Sequence, residues 1–132
     1  MATRKSDPIF GNVIHSYSRA QAIADGVLVD VSKQATEAGI SVPCAVTTRV
    51  WAELVTPGAR AVKEGQSIEG RLWDTVFMLS MAIRGLRTSR HGRGTDLRYK
   101  VIYDRRTFTL KALCGPGDDA EPVITIMFPE ED

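Results

Sequence analysis

The sequence predicts an α+β domain in which a C-terminal antiparallel sheet packs against one long helix. In the last third, residues 97–128, apolar and polar side chains alternate between turn residues, which is the pattern of strands with one buried face. Before it, residues 68–84 carry apolar side chains at intervals of three and four, which is typical of an amphipathic helix. Short helices and strands are expected N-terminal to both.

The C-terminal sheet is predicted to have three strands, or slightly more. Residues 97–103 and 107–114 alternate in polarity, and the polar break between them favours a hairpin although it lacks the preferred Asn-Gly turn. Residues 123–128 are apolar apart from one threonine, as expected of a strand that is central in its sheet or covered on both faces. The Gly- and Pro-rich residues 115–122 predict a loop.

The N-terminal half is predicted to contain short elements. Residues 1–8 are expected to be disordered. The remaining predictions are a helix over 19–25 capped by Ser18 and stopped by Gly26, a strand over 27–31, a helix over 33–38 capped by Ser32, a strand over 40–46, a helix from Thr47 or Thr48 to 55, and a loop over 59–66. Pro43 places the 40–46 strand at a sheet edge, since proline cannot donate a ladder hydrogen bond.

The long helix is predicted to begin after Ser67 and to end near Arg84, because Gly85 follows. Its apolar positions are flanked by Trp73, Phe77, Met78 and Met81, which makes the apolar face wide and predicts near-complete burial.

Length and composition fit a single domain over residues 1–132, with 43% hydrophobic residues, 25% charged residues and a net charge of +1. We expect a cytoplasmic protein with no membrane segment, because the chain has neither a signal-peptide pattern nor an apolar run of membrane-spanning length. Cys44 and Cys114 are both expected to be reduced and buried in strands.

Cations are concentrated in the middle of the chain and acids at its end. The basic candidates for binding a partner or a nucleic acid are Arg87, Arg90, His91, Arg93, Arg98, Lys100, Arg105 and Arg106. For the first four, a loop kept soluble by its charge is favoured over nucleic-acid binding, because few aromatic residues lie among the cations. The candidate acidic surface, which would meet a basic partner, consists of Asp118, Asp119, Glu121, Glu130 and Glu131. A tight turn and a solvated tail are the simpler explanations.

No spacing of His, Cys, Asp or Glu indicates a metal site, and no cofactor motif is present, so neither a metal nor a cofactor is expected. A nucleotide-handling enzyme that uses His15 and Tyr17 is a minor hypothesis, because helix capping by Ser18 accounts for the same segment. The sequence therefore favours a non-enzymatic protein.

An uncharacterised family of small proteins from phages, plasmids and other bacterial mobile elements resembles this chain over residues 9–31 and 114–132, with Trp51 and the Gly-Arg-Leu-Trp-Asp stretch at 70–74 as further matching points. The resemblance implies a genomic setting rather than a mechanism. It suggests an interaction protein, specifically a counter-defence inhibitor, of the anti-CRISPR or anti-restriction kind, that binds a host protein. The alternative is a nucleic-acid-binding accessory protein that uses residues 84–106. The oligomeric state stays open.

Overall fold

The structure is a computed structural model that describes residues 17–89 and 96–131, with side chains over 17–85 and 96–131. The expected disorder of residues 1–8 lies outside this part. The helices are α1 (Arg19–Ala24), α2 (Ser32–Glu37), α3 (Thr48–Val50), which continues into a π-helical turn (Trp51–Val55), α4 (Ala59–Lys63) and α5 (Ile68–Ser89). The strands are β1 (Leu28–Asp30), β2 (Cys44–Thr47), β3 (Asp96–Tyr103), β4 (Arg106–Pro116) and β5 (Pro122–Met127).

The five strands form one mixed sheet in the order β1-β2-β5-β4-β3. The three C-terminal strands pair antiparallel, as predicted, and β1 pairs antiparallel with β2. β2 and β5 run parallel, which joins the two halves of the chain in one sheet. β5 is the middle strand, which confirms the position predicted from its apolar run. The α+β class and the C-terminal location of most of the sheet are confirmed.

The core lies between one face of the sheet and the inner face of α5. Leu72, Val76 and Leu79 of α5 are buried against Val101 of β3 and Leu110 of β4. Burial of such side chains contributes about 1.5–3 kcal/mol each, which makes this contact the main source of stability in the domain. The opposite face of the sheet is partly covered by α1, whose Arg19 donates hydrogen bonds to Thr125 and to the carbonyl of Ile124 at 2.8 Å.

Several local predictions are confirmed by hydrogen-bond geometry. Ser18 caps α1 in a capping box with Gln21, and Gly26 follows the helix with a φ of 80°. Thr47 caps α3 by accepting a hydrogen bond from the Val50 N–H, and Ser67 accepts one from the Gly70 N–H at the start of α5. These caps mark where α1, α3 and α5 begin.

Several local predictions are wrong. Ser32 is the first residue of α2 instead of its cap, and the cap position makes no side-chain hydrogen bond to the helix. The strand after Pro43 is interior, because the proline precedes β2 and its carbonyl accepts a hydrogen bond from the Ile124 N–H at 2.9 Å. Residues 59–63 form α4 instead of a loop. Helix α5 passes through Gly85 to Ser89, because Gly85 does not adopt the left-handed conformation that ends helices.

The hairpin between β3 and β4 has a two-residue turn instead of the predicted three-residue break. Asp104 and Arg105 both have positive φ, 53° and 63°, as the turns that match strand twist require. Neither residue is glycine, so the turn needs support from its surroundings. That support comes from Arg71 and Gln66, which donate hydrogen bonds to the Asp104 carboxylate at 2.9 and 2.8 Å.

Arg71 is a buried cation at the first turns of α5, only 6% exposed. Besides Asp104, its guanidinium donates to the Leu54 carbonyl of the π-helical turn at 3.0 Å and to the Gln66 side chain at 2.8 Å. It also lies 4.9 Å from the centre of the Tyr103 ring. One side chain therefore links three segments that are distant in sequence. An unpaired buried cation is strongly unfavourable, so these segments depend on one another.

The first prediction concerns the charge on Asp104. Hydrogen bonds from Gln66 and then from Arg71 lower the pKa of its carboxyl group. Asp104 is thus ionised in the folded state at pH values where it is protonated in the unfolded state. Its contribution to stability is present above the ordinary aspartate pKa of about 3.9 and is lost as the pH falls through the lower folded value.

Asp104→Asn replaces the carboxylate with an uncharged amide of similar size, and asparagine tolerates positive φ. We expect this variant to be less stable than the wild type at pH 7 and the difference to disappear in acid, as measured by urea unfolding across that range. Asp74→Asn, at an exposed carboxylate on α5, is the control. A difference for Asp104→Asn that is the same at pH 7 and in acid would contradict the role of the ion pair.

Candidate protein-interaction surface

The outer face of α5 carries a row of large apolar side chains. Trp73, Phe77 and Met81 follow one another at intervals of four, and Met78 lies beside them. The exposed fraction is 39% for Trp73, 37% for Phe77, 41% for Met78 and 45% for Met81. We call these four residues the α5 apolar face. The predicted near-complete burial of α5 is therefore wrong for this half of the helix, because the sheet covers only the other half.

The two aromatic rings of this face are ordered against each other. Trp73 and Phe77 stack with ring centroids 5.6 Å apart and an interplanar angle of 23°. With the two methionines, they expose apolar area on the order of 400 Å², which falls in the range of patches that are often functional. Aromatic residues and methionine are enriched at protein interfaces. The patch has the composition of a protein-binding site.

The α5 apolar face rests on a firmly held helix. The Tyr99 hydroxyl of β3 donates to the Thr75 carbonyl of α5 at 3.0 Å, and the Tyr103 hydroxyl donates to the Arg71 carbonyl at 2.6 Å. Burial raises the pKa of Tyr103 to about 12, so this hydroxyl keeps its proton throughout the physiological range. The inner side of α5 is thus bonded to β3 while its outer side faces solvent.

β3 is the outermost strand beside α5, and on its outer side no strand of the described part pairs with it. Its residues alternate between the two faces of the sheet, with Tyr99, Val101 and Tyr103 turned toward α5 and buried. Ile102 is turned the other way and is 69% exposed. A groove of about 380 Å³ at the hairpin end of β3 is lined by Ile102 and, from the start of α5, by Trp73.

The predicted basic site is only partly within the described residues. Arg90, His91 and Arg93 lie outside them, as does the side chain of Arg87, whose backbone belongs to α5. Arg98 and Lys100 lie on one face of β3, and Arg105 lies in the hairpin turn. These three are exposed and form no ion pair with any described residue. Arg106 packs over the Phe108 ring at 5.1 Å.

The predicted acidic surface is divided between the two ends of β5. Before the strand, the Asp118 carboxylate accepts hydrogen bonds from the Arg19 and Ala20 N–H groups at 2.7 and 3.0 Å and so caps α1. In the same loop, Glu121 accepts one from the Asp119 N–H at 2.9 Å. The loop acids thus stabilise local structure.

Beyond the other end of β5, the two tail acids are also engaged. Glu130 pairs with Arg49 at 2.7 Å. Glu131 accepts hydrogen bonds from the Thr47 hydroxyl and the Phe128 N–H, both at 2.9 Å. The acids at both ends are therefore occupied largely within the chain.

The residues considered for chemistry are not brought together within the described part. Cys44 is buried, and desolvation raises the pKa of its thiol to about 12, which suppresses the nucleophilic thiolate. Cys114 is exposed, contrary to the expected burial, and both cysteines are free. Tyr17 donates to Asp25 at 2.8 Å on the surface, whereas His15 and His91 lie outside the described residues. Among the residues described, no three His, Cys, Asp or Glu side chains cluster as metal ligands do.

None of the helices in the described part has the length and apolar character needed to cross a membrane.

Truncating a side chain is expected to cost more stability on the inner face of α5 than on its outer face. Leu79→Ala, which leaves a cavity in the core, is expected to lower the free energy of unfolding by about 3 kcal/mol. Met81→Ala, two residues further on the outer face, is expected to cost less than about 1 kcal/mol. Denaturant unfolding of both variants measures this difference. Equal losses would mean that the α5 apolar face is covered in the folded protein.

Comparisons with known proteins give one match. No curated protein and no solved structure matches the chain. A model of the family described as "Family of unknown function (DUF6573)" matches residues 9–132. This range includes α5, the whole sheet and every segment on which the expected resemblance rests. The chain is a member of the DUF6573 family.

Proposed function

We propose that this protein is a non-enzymatic interaction protein that binds a protein partner through the α5 apolar face. The observation that carries the proposal is the row of Trp73, Phe77, Met78 and Met81, exposed on a helix whose other side is buried. A monomeric domain gains nothing in stability from apolar side chains in solvent. A partner that covers these side chains removes their apolar surface from water, and the helix that carries them is already held in position.

The arrangement of the face suits tight binding. Aromatic residues at the centre of an interface provide most of its binding energy, and flexible methionines around them adapt to the partner's shape. Because α5 is bonded to β3 through Tyr99 and Tyr103, little conformational entropy is lost when the partner binds. The fitting partner presents an apolar groove or helix face to α5.

We further propose that the protein is a counter-defence inhibitor carried by a phage or another mobile element. The partner would be a host protein of a CRISPR or restriction system, blocked by occupancy of its surface. The resemblance to small proteins of mobile elements supports this setting. An inhibitor that acts by occupancy needs a binding face and no catalytic group, which agrees with the α5 apolar face as the working surface.

The test is affinity capture from host lysate, with nuclease treatment and at two salt concentrations. Wild-type protein is expected to recover one stoichiometric host protein that survives nuclease. Phe77→Glu and Met81→Glu each place a charge in the apolar contact and are expected to weaken binding by about 30-fold or more, as measured with the purified partner. Val27→Glu, at an apolar residue exposed next to β1, is the matched control and should bind normally.

Two results would contradict this function. The first is a partner that binds Phe77→Glu and Met81→Glu as well as it binds the wild type. The second is turnover of a nucleotide or nucleic-acid substrate by the purified protein, which would make it an enzyme.

A second candidate function, nucleic-acid binding, is favoured by Arg98, Lys100 and Arg105. All three are exposed cations without an ion-pair partner among the described residues. This function predicts an affinity for single-stranded nucleic acid that falls steeply with salt, and a shallower salt dependence for Arg98→Glu/Lys100→Glu, by about one unit of slope per lost phosphate contact. Absent or salt-insensitive binding in a filter or fluorescence titration would exclude it.

A further inference from the structure

The outer edge of β3 pairs with no other strand among the described residues, and this free edge has backbone groups available for a further strand. Tyr103 and Arg106 pair across the two-residue turn, and the pair that closes such a hairpin exchanges both backbone hydrogen bonds. Hydrogen-bonded and non-hydrogen-bonded pairs alternate from there. The N–H and C=O groups of Ile102, Lys100 and Arg98 therefore point away from β4, toward the free edge.

The side chains along this edge present cations on one face of the sheet. Arg98 and Lys100 lie on the face opposite α5, and the residues across from them on β4 are Lys111 and Thr109. No acid on β4 thus lies opposite either cation. The Lys111 ammonium donates to the carbonyls of Pro129 and Glu131, which adds a further positive charge near Arg98. Asp96 marks the end of the cationic stretch.

On the other face of the sheet, the edge is bordered by apolar and polar side chains of α5. Met78 follows Arg71 by seven residues and Thr75 by three, so it lies in the helix row that overlies β3. The groove of about 380 Å³ lies at the hairpin end of this edge, and its apolar part is formed by Trp73, Ile102 and Tyr103, beside Asp74 and Asp104. Side chains of an added strand that point toward α5 would therefore meet Met78 and this groove.

We propose that the free edge of β3 binds an extended segment of the protein partner in which acidic and apolar residues alternate. The acidic side chains would lie opposite Arg98 and Lys100, and the apolar ones would point toward Met78 and the groove beside Ile102. This is strand addition to an exposed sheet edge, in which backbone bonds give affinity and alternate side chains give specificity. The inference rests on the proposed function, because it names the segment of that partner which binds beside α5.

Charge selects this occupant over a second copy of the chain. Antiparallel pairing of two β3 strands around a two-fold axis at Tyr99, near the middle of the strand, would bring Arg98 of each copy opposite Lys100 of the other. Like charges directly opposite each other destabilise a strand pair, and edge cations prevent pairing of copies in this way. The same cations attract an acidic strand.

The experiment titrates the full chain with a synthetic extended peptide that alternates Glu and Val, and follows the backbone amides by NMR and hydrogen exchange. Binding is expected to shift and protect the amides of Arg98, Lys100 and Ile102, whereas those of Asp30 on β1, the other edge of the sheet, stay unchanged. Arg98→Glu/Lys100→Glu is expected to weaken binding at least about tenfold and to bind instead a peptide that alternates Lys and Val.

A peptide of the same composition with its glutamates grouped in one block is the control for charge alone. Equal binding of this peptide would overturn the proposal, as would protection of β1 amides, self-association of the free protein through β3, or binding of a single-stranded oligonucleotide in place of the peptide. Failure of the alternating peptide also overturns it. If the host partner is still captured in a Phe77-dependent manner, only the edge-strand inference has failed and the proposed function stands.

Discussion

The buried guanidinium of Arg71 is the contact on which the geometry of this protein depends. It joins the π-helical turn through the Leu54 carbonyl, the segment before α5 through Gln66, and the β3–β4 turn through Asp104. A cation taken out of water costs several kcal/mol unless each donor finds a partner. These segments must therefore adopt their final positions together. Asp104 and Arg105 can hold positive φ without glycine because that assembly supports the turn.

The rotation of α5 about its own axis follows from this contact. With Arg71 directed at Asp104, and Tyr103 and Tyr99 bonded to the carbonyls of Arg71 and Thr75, one side of the helix is committed to β3. Leu72, Val76 and Leu79 then fill the core. Trp73, Phe77 and Met81 therefore lie on the solvent-facing side of the helix. The exposed face and the free edge of β3 are thus placed side by side by the same interactions, and any partner of one is near the other.

The sequence predicts the parts of this fold that depend on local pattern. Period-two alternation located β3 and β4, a continuous apolar run placed β5 in the centre, and Ser18, Thr47 and Ser67 marked helix starts. What it missed depends on contacts between distant residues. Arg71 looks like any surface arginine until Leu54 and Asp104 are brought to it, and Pro43 suggests an edge strand because nothing local shows that its carbonyl will pair with β5.

The burial of the outer half of α5 was mispredicted for a related reason, although the number of predicted layers already indicated that this half would be exposed. A helix whose apolar residues cover most of its circumference needs a layer on each side, and the predicted elements supplied one sheet. Counting layers instead of apolar residues would have left Trp73, Phe77 and Met81 outside. Exposed apolar residues usually promote self-association, and an uncharged edge strand next to them would promote it further. Arg98 and Lys100 on β3 oppose that association while leaving the α5 apolar face open, so a charged edge beside an apolar face favours a different protein over a second copy.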